Sequence, residues 1–131
     1  MPQKPLVAVL DTSEDFMNVV TEVLDMEGYA TVADFLIEFR RGKKDILSFL
    51  AAHQPDVIIY DIALPYQENW QFFKYVRELV GKDCRFVVVT TNKKVLDELV
   101  GEETNSLEII GKPFDLDALL GAVQTSVEEC I

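Results

Sequence analysis

Five short apolar runs recur along the chain: Leu6 to Leu10, Tyr29 to Val32, Val57 to Tyr60, Phe86 to Val89 and Leu107 to Ile110. They are too short for helices and mostly apolar at consecutive positions, as strands covered on both faces are. The stretches between them carry a different period. Phe16, Val19, Val20, Val23 and Leu24 follow the spacing of one helix face, with Thr12 or Ser13 as N-cap and Gly28 as stop. Ile46, Leu47, Phe49 and Leu50 make a second stripe that ends at His53-Gln54-Pro55, although Ala33 to Lys44 before it has no clear period. Phe72, Phe73, Val76, Leu79 and Val80 predict a third helix stopped by Gly81, and Val95, Leu96, Leu99 and Val100 a fourth. Leu116, Leu119, Leu120, Val123 and Val127, opened by Asp115, predict a fifth.

Strict alternation of short apolar strands with helices calls for an α/β fold, a doubly wound parallel sheet of five strands in a three-layer (βα)5 sandwich. Ligands of such sheets bind beyond the carboxyl ends of the strands, near the point where strand order reverses. The polar residues that close the strands are therefore the functional candidates. They are Asp11, Asp61, Thr90 and, just past the fifth strand, Lys112.

Length and composition narrow this picture. With 131 residues, 49% of them hydrophobic, the chain predicts one domain spanning residues 1–131 with a single sizeable core. No run approaches the roughly 20 apolar residues of a membrane helix, and Met-Pro-Gln-Lys-Pro lacks the apolar stretch of a signal peptide, so a cytoplasmic protein without membrane association is expected. Cys84 and Cys130 have no close Cys or His companions and His53 is the only histidine, which excludes an ordinary zinc site and predicts reduced thiols. A formal charge of -11 opposes nucleic-acid binding and suits cations or basic protein surfaces.

Two carboxylates at neighbouring strand ends repel each other and lose hydration, so a cation is needed between them. Lys112 supplies one charge, a hard divalent ion such as Mg²⁺ can supply the rest, and the Thr90 hydroxyl can donate to an anionic oxygen. A nucleophilic carboxylate, a metal-binding carboxylate, a hydroxyl donor and a lysine are the parts that transfer of a phosphoryl group to an aspartate requires. Taken singly, each has a blander reading as a turn residue, a β-branched strand terminus or a solvated lysine. Their coincidence at the ends of the strands favours a site.

The ordered motifs also resemble the receiver domain of two-component response regulators over essentially the whole chain. Pro55-Asp56-Val57-Ile58-Ile59-Tyr60-Asp61-Ile62-Ala63-Leu64-Pro65 resembles the phosphoacceptor segment, Phe86-Val87-Val88-Val89-Thr90-Thr91 the strand with the switch threonine, and Gly111-Lys112-Pro113-Phe114 the lysine-proline turn. The resemblance implies a flavodoxin-like fold. It further implies Asp61 as phosphoryl acceptor, Asp11 and Asp61 as Mg²⁺ ligands with the Ala63 carbonyl, Thr90 as conformational sensor and Lys112 as phosphate partner. Three positions depart from the family's pattern: Thr12 replaces a second acidic residue, Asn69 stands where glycine is common, and Ile109 replaces an aromatic switch residue. Asp11, Asp61 and Lys112 sum to a charge of -1, against the usual -2 of three carboxylates and a lysine. One unit-charge contact at ~4 Å is worth about 4 kcal/mol at an effective dielectric near 20, so Mg²⁺ binding weakened by an order of magnitude or more is expected.

The resemblance implies a histidine kinase or histidine phosphotransfer protein as phosphoryl donor, and no turnover on a separate substrate. Because the chain stops soon after its last helical stripe, output by contact is expected, through the face of the fourth helix, fifth strand and fifth helix, by partner docking or homodimerisation. The competing reading is a phosphorylation-independent receiver that acts as a protein-interaction module, which Thr12, Asn69 and Ile109 all permit. A nucleotide- or flavin-binding protein of similar topology has no local support, since Asp11-Thr12-Ser13-Glu14-Asp15 is acidic and lacks phosphate-cradling glycines. Glu14 is expected in the first helical turn, Arg40 to Lys44 in a solvated loop, and Trp70 and His53 at the surface.

Overall fold

A computed structural model describes residues 4–81, 84–101, 108–111 and 116–129. Five strands, β1 (Leu6–Asp11), β2 (Ala30–Phe35), β3 (Val57–Asp61), β4 (Arg85–Thr90) and β5 (Glu108–Gly111), form one parallel sheet in the order β2-β1-β3-β4-β5. Between and after them run α1 (Glu14–Met26), α2 (Leu36–Arg40), α3 (Ile46–His53), α4 (Tyr66–Val80), α5 (Lys93–Val100) and α6 (Leu116–Glu129). The flavodoxin-like architecture is as expected. No helix among the described residues is long and apolar enough to cross a membrane.

Alternation along each strand divides the core between the two faces. Ala8, Leu10, Ile58, Tyr60, Phe86 and Val88 point to α2, α3, α4 and α5, where Leu36, Phe39, Ile46, Phe73, Val76 and Leu96 cover them. Val7, Val9, Val57, Ile59, Val87 and Val89 point to α1 and α6, against Met17, Val20, Leu24, Leu119 and Val123. The central strands β1, β3 and β4 are buried on both faces, so they read as unbroken apolar runs.

Several local expectations need correction. The region between β2 and β3 holds two helices rather than one, because Gly42 turns the chain at φ +76° and Asp45 recaps it by accepting from the Leu47 amide at 3.1 Å. Strand β2 runs on to Phe35, since β1 offers it a ladder as far as Asp11. The basic cluster is not merely a solvated loop: Arg40 lies within α2, 3.8 Å from Glu68, and Lys44 pairs with Asp34 at 2.8 Å. Trp70 is buried, not exposed, because α4 begins at Tyr66 and so places Trp70 one turn ahead of Phe73 on the inner face, 5.2 Å between ring centroids. His53 is at the exposed end of α3, against Phe49.

Candidate functional site

The strand order reverses between β1 and β3: the chain leaves β1 for β2 on one side and returns to β3 on the other. The crevice beyond their carboxyl ends is where such a sheet binds ligands. Leu10 pairs with Tyr60, so Asp11 and Asp61 are the next residues of two hydrogen-bonded neighbours. Both are buried and both continue the alternation of the α1/α6 face.

The two carboxylates have different surroundings. Asp11 Oδ1 accepts from the backbone amides of Thr12 at 2.6 Å and Ser13 at 2.9 Å, which folds the β1–α1 loop around it. Ser13 then caps α1, its hydroxyl accepting from the Phe16 amide at 3.2 Å. Glu14 stands exposed in the first turn, as expected of a residue facing the helix dipole. Thr12 reaches across the crevice instead, its hydroxyl donating to Asp61 Oδ2 at 3.3 Å.

Beyond Asp61 the chain is tied to β4, with the Ile62 amide donating to Val89 O at 2.9 Å. Ala63 follows, and its carbonyl accepts from Asn69 Nδ2 at 2.6 Å. Asn69 is buried on α4, a contact the sequence signalled only as a departure from glycine. Thr90 is buried at the end of β4 and continues the face of Phe86 and Val88, opposite to that of Asp61. Its hydroxyl accepts from the Asn92 amide at 3.4 Å. Tyr66, at the start of α4, bridges to Thr91 by a hydroxyl contact of 3.4 Å that sequence reading did not anticipate. Lys112 lies outside the described residues. Ile109 is half-buried against the α2–α5 side of the core.

Burial raises the phenol pKa of Tyr60 far above its usual value, the adjacent Asp61 charge adds to the effect, and Arg40 opposes it. Tyr60 packs edge-on against Phe73 and Phe86 on the sheet face opposite to that of Asp61. It is core, not chemistry.

The donor set fits a hard divalent cation. Two carboxylates and one carbonyl are oxygen ligands of the kind Mg²⁺ takes, with water filling its remaining positions. Asp11 Oδ1, Asp61 Oδ2 and Ala63 O each already accept a hydrogen bond from within the chain.

A family model described as the response regulator receiver domain matches residues 7–124. The transcriptional regulatory protein YxdJ of Bacillus subtilis is 24% identical over 123 residues, covering 92% of this chain and 49% of its own length. The chain thus spans about half the length of that relative. A response regulator from Thermotoga maritima superposes with a TM-score of 0.74 at 22% identity, covering 96% of this chain and 99% of that one. A response regulator protein from Burkholderia pseudomallei, solved with a phosphorylated aspartic acid, calcium ion and citrate, superposes at 0.69 with 21% identity, covering 96% and 70%.

Proposed function

Because this chain belongs to the response regulator receiver domain family of two-component systems, we propose that it accepts a phosphoryl group on Asp61 and signals through protein contacts. The observation that carries this reading is the buried Asp61 carboxylate at the end of β3, beside Asp11 at the point where strand order reverses. A carboxylate oxygen of Asp61 attacks the phosphorus of a phosphohistidine on a histidine kinase or histidine phosphotransfer protein. The O–P bond forms as the P–N bond breaks, and the imidazole nitrogen keeps the electron pair. Mg²⁺ held by Asp11, Asp61 and the Ala63 carbonyl would offset charge on the equatorial oxygens. Thr90, whose oxygen accepts from the Asn92 amide, turns its hydroxyl hydrogen to the phosphoryl group, and Lys112 serves as the cationic partner of that group.

The similar Burkholderia protein carries a phosphorylated aspartic acid and a calcium ion, in keeping with this reading. Output runs through the face of α5, β5 and α6, where Val95, Leu99 and Leu116 are exposed, to a protein partner or a second copy in the cytoplasm. The test is addition of a small phosphodonor or beryllofluoride with Mg²⁺, followed by Trp70 emission and intact mass. A response in the wild type that Asp61→Asn abolishes is expected. No response at tens of millimolar Mg²⁺ would replace this reading with the phosphorylation-independent interaction module.

A further inference from the structure

Among the described residues, two neutral side chains contact the expected ligand oxygens. Asn69 Nδ2 donates to Ala63 O at 2.6 Å from a position 8% exposed, and Thr12 Oγ1 donates to Asp61 Oδ2 at 3.3 Å. Asn69 is the fourth residue of α4 and is buried there, so its polar amide needs a partner. The bond to Ala63 supplies one. Each donor directs a positively polarised hydrogen at an oxygen that would otherwise face a cation.

We infer that Thr12 and Asn69 stabilise the metal-free form of the strand-end site and thereby set its Mg²⁺ affinity, with Asn69 the stronger determinant. This rests on the acceptor reading above. For a cation to bind the Ala63 carbonyl, that one oxygen must either share its lone pairs between hydrogen and metal or release its donor, whereas the Asp61 carboxylate has a second oxygen besides the one that accepts from Thr12. Thr12 is exposed, so its hydroxyl turns to water at little cost. The buried Asn69 amide has no such outlet, and an unsatisfied buried donor costs more than the bond it made was worth. Hence the two positions differ in weight although each contributes one hydrogen bond.

The experiment is Mg²⁺ titration by amide chemical shifts in the wild type, Thr12→Ala, Asn69→Ala, the near-isosteric Asn69→Leu and Thr12→Asp, with thermal melts in EDTA and in saturating Mg²⁺. Removing the Asn69 donor is expected to tighten Mg²⁺ by about threefold to tenfold, and removing the Thr12 hydroxyl by less than about threefold. The Asn69 variants should also melt lower than the wild type in EDTA and recover in Mg²⁺. Unchanged or weaker Mg²⁺ binding in both Asn69 variants, with Thr12→Asp tightening it, would overturn this inference and leave the acceptor reading standing, Asn69 then being a residue that orients the Ala63 carbonyl. Absence of binding in all five proteins, Thr12→Asp included, would overturn both.

Discussion

The loops after β1 and β3 lie side by side and open on the same residue type, yet they spend their carboxylates differently. Asp11 turns an oxygen back on its own chain and gathers the amides of Thr12 and Ser13, so that the loop closes and α1 starts one residue later. Asp61 accepts a hydroxyl from the opposite loop, and the backbone beyond it is held by β4 instead. One aspartate builds the site; the other is presented by it. Two acidic residues equally buried at equivalent strand positions therefore need not be equally important to fold and to chemistry.

Substitution separates these roles. The largest effect is expected from Asp61→Asn, which should abolish phosphoryl incorporation by intact mass while changing the unfolding free energy by no more than about 1 kcal/mol, because the amide keeps an oxygen for Thr12. A large loss of stability would mean that Asp61, too, is structural. Asp11→Ala strips two amides of their acceptor and should cost about 2 kcal/mol in urea denaturation, whereas Asp11→Asn keeps the acceptor, relieves the repulsion from Asp61 and should cost less than about 1 kcal/mol. Equal losses in the two variants would show that charge rather than hydrogen bonding holds the β1 loop. Ser13→Ala removes only the N-cap and should cost about 1 kcal/mol without altering phosphoryl transfer.

Alkaline pH tests the residue behind the acceptor. Tyr60 keeps its proton in the folded state well beyond the pH at which the unfolded chain loses it. Its stabilising effect is therefore complete below the unfolded pKa near 10 and declines above it, by up to about 1.4 kcal/mol per pH unit. Tyr60→Phe should flatten the fall of stability above pH 10 by that slope, measured by urea midpoints from pH 8 to 11. An unchanged slope would show that Tyr60 ionises as easily folded as unfolded.

Residues that act through local period were legible in the sequence. Apolar runs and helical stripes predicted five strands, the alternation and the strand-end candidates, because a parallel sheet covered on both faces demands side chains of that pattern whatever packs on them. The motif around Asp61 was equally legible, since its order along one strand and loop is a property of the chain itself. Asp11, Asp61 and Thr90 do terminate their strands.

What tertiary structure decided was every relation between residues far apart or governed by packing. Thr12 meets Asp61 across 49 positions of sequence, and no spacing rule connects them. Asn69 read as an odd residue until α4 started at Tyr66 and brought its amide to Ala63, and the same early start buried Trp70. The division of the second helical region depended on one glycine with positive φ and one aspartate cap, details too local for periodicity to resolve. Side-chain period reports which face is apolar; it carries no information about which polar atom ends opposite which. That information decides how a site of carboxylates is held.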